Sequence, residues 1–376
     1  MAWKILCIAG ARPNFMKIAP LLRAFAADKR FAARLVHTGQ HYDAKLSKVF
    51  FEDLAIPRPD VELEVGSGTH AQQTAEIMKR FEPVVEQEQP HGVLVVGDVN
   101  STVGCALVAS KLVLATPFMT SAGARTRPLV IHVEAGLRSH DHDMPEETNR
   151  IVTDALSDLL FVSEPDGMVN LAREGVRAGK AHLVGNVMID TMVAARERAK
   201  QSTILDTLGL SEHGYGLVTL HRPSNVDDVD ALRGLLASLS EVAREMRLVF
   251  PVHPRTRKRI EDAGIQLPTS QWSLIEPLGY LDFMRLTSSA RVVLTDSGGI
   301  QEETTVLGVP CITLRDNTER PITVAEGTNQ LVGTKRAAIL AAYARIEEVR
   351  RAAKIPKLWD GAAAERIVAI LGQVLM

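Results

Sequence analysis

The feature that most constrains the fold of this chain is a regular alternation of short apolar runs with amphipathic stretches. The runs are continuous in Val, Ile and Leu and do not alternate with polar residues. Strands of this kind are buried on both faces, as in a parallel sheet covered by helices. In the first half, the predicted strands are Lys4–Ile8, Ala33–Val36, Gly92–Val96, Val130–Val133 and Leu183–Val187, and the predicted helices are Phe15–Ala26, Ala71–Gln87 and Val103–Val113. The pattern predicts a doubly wound α/β fold.

The second half of the chain repeats this pattern after a predicted helix over Met188–Ala199. Its predicted strands are Tyr215–Leu220, Leu248–Pro251, Leu274–Ile275, Val292–Leu294 and Pro310–Leu314, and its predicted helices are Val229–Met246, Leu281–Ser288 and one after Gly299. At 376 residues the chain exceeds what one hydrophobic core normally supports. We therefore predict a domain over 1–186, a second over 187–361, and a C-terminal helix over 362–376 that could pack back on the first domain. A cleft between two such domains is the default place for a binding site.

Composition and charge exclude several classes of function. The chain carries 43 basic and 45 acidic side chains, so its charge gives no reason to expect nucleic acid or an anionic membrane as a partner. Cys7, Cys105 and Cys311 each lie in an apolar run without metal-site or disulfide spacing, and we interpret them as reduced core residues. The N-terminal apolar run is too short for a secretory signal, so a cytoplasmic protein is expected.

Charged residues follow three of the predicted strands in the first half, at the edge where ligands bind to open parallel sheets. Arg12 and Lys17 follow the first strand at a helix N-terminus, which presents free N–H groups to anions; a surface charge is the alternative for Arg12. Asp98 follows the third strand and could instead cap the next helix. Glu134 directly follows an apolar strand, where a buried carboxylate is costly unless it is paired or its pKa is raised. Glu134 is therefore a better candidate for catalysis than for capping.

A proline-led helix start with two acids, Glu146 and Glu147, comes next. Favourable interaction with the helix dipole is the structural alternative for both. Because the segment that follows Arg150 is apolar, we expect the helix to lie under the cleft, with one glutamate facing inward. Asp98, Glu134 and Glu146 suggest proton abstraction, since no histidine cluster joins them locally to make a metal site.

The second half places further polar residues after its predicted strands. His221 and His253 occupy equivalent strand ends, and a polar stretch from Arg315 through Arg320 follows a later strand. The strongest phosphate signal is Thr295-Asp296-Ser297-Gly298-Gly299, a strand, glycine turn and helix start, although a cap by Asp296 or Ser297 is the alternative. The density of polar groups predicts a sugar or nucleotide ligand. ATP hydrolysis and nicotinamide binding are poorly supported, because neither a Walker loop nor GxGxxG occurs.

One predicted loop, Leu114–Pro128, is longer than most helix-to-strand connections. It is either an exposed variable loop or a functional one that reshapes access to the Glu134 strand.

The ordered motifs resemble one known family. GARPNFMKIAPL, TGQHYD, GDVNST, HVEAGLRS, MPEETNR, VGNVMID, TLHRPSNVD, PVHPRTRKRI, TDSGGIQEE and LRDNTERP run through roughly residues 4 to 333. In this order they are similar to the motifs of the non-hydrolysing UDP-N-acetylglucosamine 2-epimerases. The resemblance implies two Rossmann-like domains of the GT-B type facing a central cleft, a UDP-sugar substrate, a homodimer, and no metal or redox cofactor.

The resemblance also implies a mechanism, in which UDP is eliminated to give 2-acetamidoglucal and is then added back after protonation on the other face. It implies that Asp98, Glu134 and Glu146 are the acid/base carboxylates, without saying which serves which face. It places His221 by the leaving diphosphate, with Arg12, Lys17 and Arg150 as supporting charges. The remaining implied contacts are Ser297, Gly298 and Gly299 with the phosphates, Glu303 with the ribose, Pro277 to Tyr280 with uracil, and His253 and Arg320 elsewhere on the substrate.

The chain departs from the family pattern in two places. Ala11 and Asn14 replace the Thr and Glu of many members, so the first turn is expected to bind phosphate differently. Tyr42 and Asp43 replace the residues that follow Gln40 and His41 in regulated members, which puts an allosteric substrate site in doubt.

Three alternatives stay open: a 2-epimerase of a UDP-diacetamido uronic acid, a GT-B glycosyltransferase, and a non-catalytic nucleotide-sugar sensor.

Overall fold

The computed structural model describes residues 2–40 and 51–375, except for the side chain of Arg12. The chain folds into two compact units, Met1–Ala194 with Lys357–Met376, and Ala195–Pro356. The division between the units, after Ala194, falls inside the helix Val187–Ala199, whereas the predicted boundary lies near residue 186. The C-terminal segment belongs to the first unit, because the helix Ala363–Val374 packs against the helix Arg12–Ala27.

The first unit is built on a seven-stranded parallel sheet in the order β3-β2-β1-β4-β7-β8-β9. Its strands are β1 (Trp3–Ala9), β2 (Phe31–His37), β3 (Val61–Glu62), β4 (Gly92–Val96), β7 (Leu129–Val133), β8 (Leu159–Val162) and β9 (Ala181–Leu183). Its helices are Arg12–Ala27, His70–Glu88, Asn100–Lys111, Pro145–Leu156, Pro165–Arg173, Val187–Ala199 and Ala363–Val374. The strand order reverses between β1 and β4, so the crevice at their carboxyl ends is where a ligand is expected.

The core of the first unit explains why its central strands are mostly apolar. Val93 and Val95 of β4 pack with Val130 of β7 against Ile77 and Phe81 of a covering helix. All five side chains are fully buried. With the sheet covered in this way, the carboxyl ends of the strands are left for polar residues.

The second unit repeats the architecture with a six-stranded sheet in the order β12-β11-β10-β13-β14-β15. Its strands are β10 (Tyr215–Thr219), β11 (Arg247–Pro251), β12 (Trp272–Ile275), β13 (Val292–Thr295), β14 (Cys311–Thr313) and β15 (Asn329–Leu331). Its helices are Ile204–Leu208, Pro223–Val226, Val229–Val242, Pro254–Asp262, Tyr280–Ser289, Gly298–Leu307, Pro321–Ala325, Arg336–Ala344 and Ile346–Ala352. All pairings in this sheet are parallel, and the order reverses between β10 and β13.

One predicted strand is wrong in part. The sequence predicts a strand over Leu183–Val187, but β9 ends at Leu183 and a helix begins at Val187. Gly185 ends the extended run with a φ of 91°, in the left-handed region that glycine tolerates. A Cβ there would also overlap the carbonyl oxygen of Leu358, so the turn serves the approach of the C-terminal segment.

The long Leu114–Pro128 loop contains a β-hairpin, with β5 (Phe118–Thr120) antiparallel to β6 (Gly123–Arg125). Phe118 packs against Trp3 and His91, which lie at the amino ends of β1 and β4. The hairpin therefore lies at the amino edge of the sheet, one strand length from Glu134. The expectation that it could reshape access to Glu134 is wrong for this reason.

The prediction that the cysteines are core residues is confirmed. Cys7, Cys105 and Cys311 are buried and free, and burial raises the pKa of all three thiols, that of Cys311 to about 11. Among the residues that the structure describes, no helix combines the length and the apolar character needed to cross a bilayer.

Candidate active site

Glu134 lies directly after β7 and is buried, with 4% of its surface exposed. Its Oε1 accepts from the Lys17 Nζ at 2.7 Å, and Lys17 is itself only 5% exposed. Burial of either charge alone would be costly, so the pair is what makes this position tolerable. Of the two alternatives left open for this carboxylate, pairing and a raised pKa, the structure shows pairing, with Lys17 as the cation.

The backbone at Glu134 is strained, with a φ of 71°. A non-glycine residue in this left-handed region costs on the order of 1–3 kcal/mol, and such residues cluster at functional sites. The N–H groups of Glu134 and Ala135 both donate to the carbonyl oxygen of Phe161 on β8, at 3.0 Å each. The neighbouring strand thus holds the carboxylate in an orientation that an ordinary extended backbone would not give.

Asp98 lies at the end of β4, after Gly97 with its φ of 66°. The Arg150 Nη2 donates to Asp98 Oδ2 at 2.6 Å, and the Asn149 amide donates to the Asp98 carbonyl oxygen at 2.8 Å. The next helix has Val99 at its N-cap, with no side-chain capping bond among the described residues. Asp98 therefore does not act as the cap that was its alternative role.

Lys17 connects these two strand ends. A Cβ on Gly97 would lie 2.8 Å from the Lys17 Nζ, so the lysine crosses the Gly97 turn on its way to Glu134. The ends of β1, β4 and β7 thus bring Lys17, Asp98 and Glu134 together within the first unit.

Glu147, not Glu146, is the inward glutamate of the helix Pro145–Leu156. Glu147 is 1% exposed; it accepts from the backbone N–H groups of Ser139 and His140, and from the Arg150 Nη1 at 2.7 Å. Burial opposes ionisation, but these bonds outweigh it and lower the pKa of Glu147. Glu146 is partly exposed, and no ion pair involves it within 2–40 and 51–375. Glu147 is thus engaged in structure, whereas Glu146 stays accessible.

The first turn, where the chain departs from the family pattern, is shaped by Asn14. Its Oδ1 accepts from the N–H groups of Gly10 and Ala11, and its Nδ2 donates to the Val96 carbonyl oxygen at 3.1 Å. Asn14 thereby ties the turn to β4. The predicted contacts of the Arg12 side chain, and the departures at Tyr42 and Asp43 beside His41, lie outside the described part of the chain.

In the second unit, Asp296 organises the end of β13. This buried carboxylate accepts from the N–H groups of His221 and Arg222, and from the Asn225 amide. Burial opposes ionisation, but hydrogen bonding and charge from His221 outweigh it and lower the pKa of Asp296. The His221 Nδ1 lies 2.8 Å from Asp296 Oδ1, while 61% of the His221 side chain is exposed. This contact orients the imidazole with its Nε2 edge toward solvent.

The helix Gly298–Leu307 begins at the same edge. Ser297 occupies the N-cap, but its side chain makes no capping bond to any described residue, and Asp296 is engaged with His221 and Arg222. The first turn of this ten-residue helix therefore has no cap from Ser297, and N–H groups at a helix start are the kind that bind phosphate. A Cβ on Gly298 would lie 2.8 Å from Glu319 Oε1, so a glycine fits this close approach.

The other predicted binding residues of this unit differ in burial. Arg320 is buried in ion pairs with Glu302 at 2.6 Å and Glu319 at 2.7 Å. Pro277 is partly exposed. His253 is exposed and its Nδ1 accepts from the N–H of Arg255, so it caps its own helix.

Glu303 and Tyr280 form a buried pair. The Tyr280 hydroxyl lies 3.5 Å from Glu303 Oε1. Burial, with a contribution from the Glu302 charge, raises the pKa of Glu303 from 4.5 to about 8. Burial also raises the pKa of Tyr280 well above its usual value.

The sequence profile of UDP-N-acetylglucosamine 2-epimerase matches residues 23–372. The chain belongs to this family. It is 39% identical to the UDP-N-acetylglucosamine 2-epimerase of Methanocaldococcus jannaschii over 376 residues, with 98% of each chain covered. It is 42% identical to the UDP-2,3-diacetamido-2,3-dideoxy-D-glucuronate 2-epimerase of Pseudomonas aeruginosa over 337 residues, with 89% of each covered.

Solved structures agree with this assignment to the 2-epimerase family. The M. jannaschii UDP-GlcNAc 2-epimerase in complex with UDP-GlcNAc and UDP superposes with a TM-score of 0.87 at 39% identity, covering 98% of this chain and 99% of that one. A sucrose-phosphate synthase from Thermosynechococcus elongatus, at 15% identity and a TM-score of 0.60, shares the fold alone. The expected family, its 2-epimerase function and the α/β fold with Rossmann-like units are confirmed.

Sequence reasoning missed several residues that shape the site of this 2-epimerase family member. Asp296 is predicted only as a cap, yet it follows an apolar strand as Glu134 does, and that signal could have singled it out. Glu147 could not be separated from Glu146, since both lie in one helical turn. His132 and Asp154, which form a buried pair at 2.6 Å, gave no signal in the local pattern.

Proposed function

We propose that this family member interconverts UDP-N-acetylglucosamine and UDP-N-acetylmannosamine through elimination and re-addition of UDP. The observation that carries the proposal is the buried, strained Glu134 with its Lys17 partner, beside Asp98 at the next strand end. The M. jannaschii relative bound to UDP-GlcNAc and UDP supports the choice of substrate.

The first unit supplies the acid/base groups for this reaction. The C2–H bond of the sugar is not next to a carbonyl, so simple deprotonation is unfavourable. A carboxylate takes the C2 proton while the C1–O bond breaks. The electron pair of the C2–H bond forms the C1–C2 double bond of 2-acetamidoglucal, and the electron pair of the C1–O bond leaves with UDP. A second carboxylic acid then protonates C2 on the other face, and a diphosphate oxygen attacks C1. Asp98, Glu134 and Glu146 provide these groups, with Lys17 and Arg150 balancing their charge.

The second unit holds the UDP part. The Ser297 hydroxyl and the N–H groups of Gly298 and Gly299 bind the diphosphate, where negative charge grows as UDP leaves. The exposed edge of His221 donates a hydrogen bond or proton to the departing oxygen, with Arg12 as a supporting cation. The ribose is bound by Glu303 and the uracil by the Pro277 to Tyr280 turn. His253 and Arg320 contribute through the shape and charge of their loops.

The wider setting belongs to the same proposal. The enzyme acts in the cytoplasm as a homodimer, without a metal or redox cofactor, and supplies N-acetylmannosamine nucleotides for polysaccharide synthesis. The full-length similarity to UDP-N-acetylglucosamine 2-epimerases supports this setting.

A second candidate substrate is a UDP-diacetamido uronic acid. The 42% identity to the P. aeruginosa 2-epimerase of UDP-2,3-diacetamido-2,3-dideoxy-D-glucuronate favours it. Both reactions use the same elimination, so the acid/base groups do not separate the two substrates.

Proton exchange in deuterated water tests the proposal. The enzyme is incubated separately with each UDP-sugar, without an acceptor, and C2 deuterium and epimer are followed by NMR. We expect both products from UDP-N-acetylglucosamine. Exchange with the uronic acid alone would favour the second candidate. Binding without exchange would indicate a sensor or a glycosyltransferase, since neither exchanges the C2 proton.

A further inference from the structure

A fully buried histidine lies beneath two of the three proposed catalytic carboxylates, Asp98 and Glu134. His132 is the fourth residue of β7 and has 0% of its surface exposed. Its Nδ1 lies 2.6 Å from Asp154 Oδ1, and its Nε2 lies 2.8 Å from the carbonyl oxygen of Gly97. The acid/base chemistry proposed above uses neither His132 nor Asp154.

Both partners of the imidazole are hydrogen-bond acceptors. The other oxygen of Asp154 accepts from the N–H of Gly136 at 3.0 Å and from the Arg138 Nη2 at 2.7 Å. Burial opposes ionisation of Asp154, but His132 and Arg138 outweigh it and lower its pKa. A carboxylate and a carbonyl oxygen can only accept, so both contacts are satisfied when each ring nitrogen carries a proton.

Together these bonds connect the two turns that carry the carboxylates. On one side, His132 holds the carbonyl group of Gly97, the residue before Asp98, and the Gly97 N–H donates to the Val133 carbonyl oxygen at 3.0 Å. On the other side, Asp154 holds the N–H of Gly136, two residues after Glu134. Gly97, Glu134 and Gly136 all have left-handed backbones, with φ values of 66°, 71° and 80°. Glycine tolerates this conformation, whereas at Glu134 it persists only where the surroundings determine it.

We infer that His132 and Asp154 are positioning residues that hold the Asp98 and Glu134 turns at a fixed separation for proton transfer at C2. The inference rests on the proposed function, because it assigns a purpose to the separation of those two carboxylates. Without the imidazole, the Gly97 carbonyl group and the Asp154 carboxylate lose buried partners, and both turns relax. A misplacement of about 1 Å costs on the order of 100-fold in rate.

Kinetics of His132→Asn and Asp154→Asn test the role. We expect kcat to fall by about 100-fold and KM to change by less than about threefold, since the groups proposed to bind UDP are untouched. C2 deuterium exchange and net epimerisation should fall together. The double variant should be little worse than either single variant, because the pair acts as one unit. A folded single variant with kcat within about threefold of wild type, or with only KM raised, would overturn the inference.

Thr153→Val is the matched control. Thr153 precedes Asp154 on the same helix and is equally buried, and its hydroxyl has no partner within the described ranges. It should keep wild-type kcat, and a loss like that of His132→Asn would mean that any buried change on this helix impairs turnover.

A spectroscopic measurement on the wild-type protein tests the geometry without relying on activity. With ¹⁵N-labelled histidine, His132 should give two ring N–H correlations, assigned by their loss in His132→Asn. A single correlation would refute the two-donor arrangement. If wild type turns over neither UDP-sugar while both correlations are present, the proposed function fails. The hydrogen bonds of His132 to Asp154 and Gly97 are then still supported.

Discussion

The two units share one sheet topology, apart from a seventh strand, β9, in the first unit, but they differ in the groups at the carboxyl edge. In the first unit the edge consists of charged side chains in pairs, Glu134 with Lys17 and Asp98 with Arg150. In the second unit the edge also has charged pairs, Asp296 with His221 and Arg320 with Glu319, but beside them lie a glycine turn and the start of the helix Gly298–Leu307, where Ser297 makes no capping bond to any described residue. The topology fixes where a ligand meets the sheet, and the residues after each strand decide between proton transfer and anion binding.

Buried carboxylates in the two units also differ in what offsets the cost of burying a negative charge. Arg150 and two backbone N–H groups stabilise Glu147 as the anion, and its pKa is lowered. Glu303 in the second unit is buried beside Glu302 and Tyr280, and its pKa is raised to about 8. Ion pairing and backbone N–H groups thus favour the ionised form of Glu147 in the first unit, whereas burial beside Glu302 raises the pKa of Glu303 in the second.

Removing an acid/base group should give the largest effect and is the strongest test of a catalytic first unit. Glu134→Gln should lower kcat by about 100- to 10,000-fold with a modest change in KM, because general acid/base catalysis is lost while UDP contacts remain. Asp98→Asn and Glu146→Gln should act in the same direction. Steady-state kinetics, with UDP binding measured by calorimetry, provides the check. Near wild-type rates in all three would show that these carboxylates are not the bases.

His221→Ala should have the next largest effect. It removes the group proposed to assist the departing diphosphate, so we expect kcat to fall by about 100-fold. Because 2-acetamidoglucal forms in the same step in which UDP departs, its release should slow in proportion, as measured by NMR of quenched reactions. Unchanged kinetics would remove His221 from the mechanism and leave Asp296 with a purely structural role.

Gly298→Ala should weaken UDP binding more than it lowers kcat. Binding and turnover would then depend on different units. Its Cβ would lie 2.8 Å from Glu319 Oε1 and 3.0 Å from the Arg320 Nη1, at the proposed phosphate site. Overpacking of this size costs about 1–3 kcal/mol, so the Kd for UDP should rise about tenfold to 100-fold. Gly234→Ala is the control, since no described atom lies within 4 Å of its Cβ position. A pure kcat effect at Gly298 would contradict the division of roles.

Much of the site could be predicted because its residues directly follow strands. Asp98, Glu134, His221 and Ser297 all follow apolar strands, and parallel topology brings such residues to one edge. What the sequence could not show are the partners that fix them. His132 and Asp154 are 22 residues apart, and His132 and Gly97 are 35 apart, so no local pattern links them. Which of Glu146 and Glu147 faces inward depends on the rotation of the helix about its axis. A favourable interaction with the helix dipole applies to both residues and does not distinguish them.

The pH dependence of stability gives the smallest expected effect and tests whether burial governs Glu303. Its pKa is about 8 in the folded chain against 4.5 for an ordinary glutamate. Between these values the folded state binds more protons than the unfolded state, so this group stabilises fully below pH 4.5, and its contribution is lost as pH rises through 8. Glu303→Gln cannot ionise and should lose less stability between pH 6 and pH 9, by roughly a few degrees in Tm.

Thermal unfolding of wild type, Glu303→Gln and the exposed Glu261→Gln across that pH range measures this difference. Glu261→Gln should follow wild type, because its side chain is in solvent in both states. UDP binding sharpens the test: if ribose hydroxyls donate to an ionised Glu303, binding near pH 7 must release a proton. Calorimetry in buffers of different ionisation enthalpy detects that proton, and its absence together with parallel Tm curves would mean that Glu303 is already ionised. The contrast between ion-paired acids in the first unit and a burial-controlled acid in the second would then be lost.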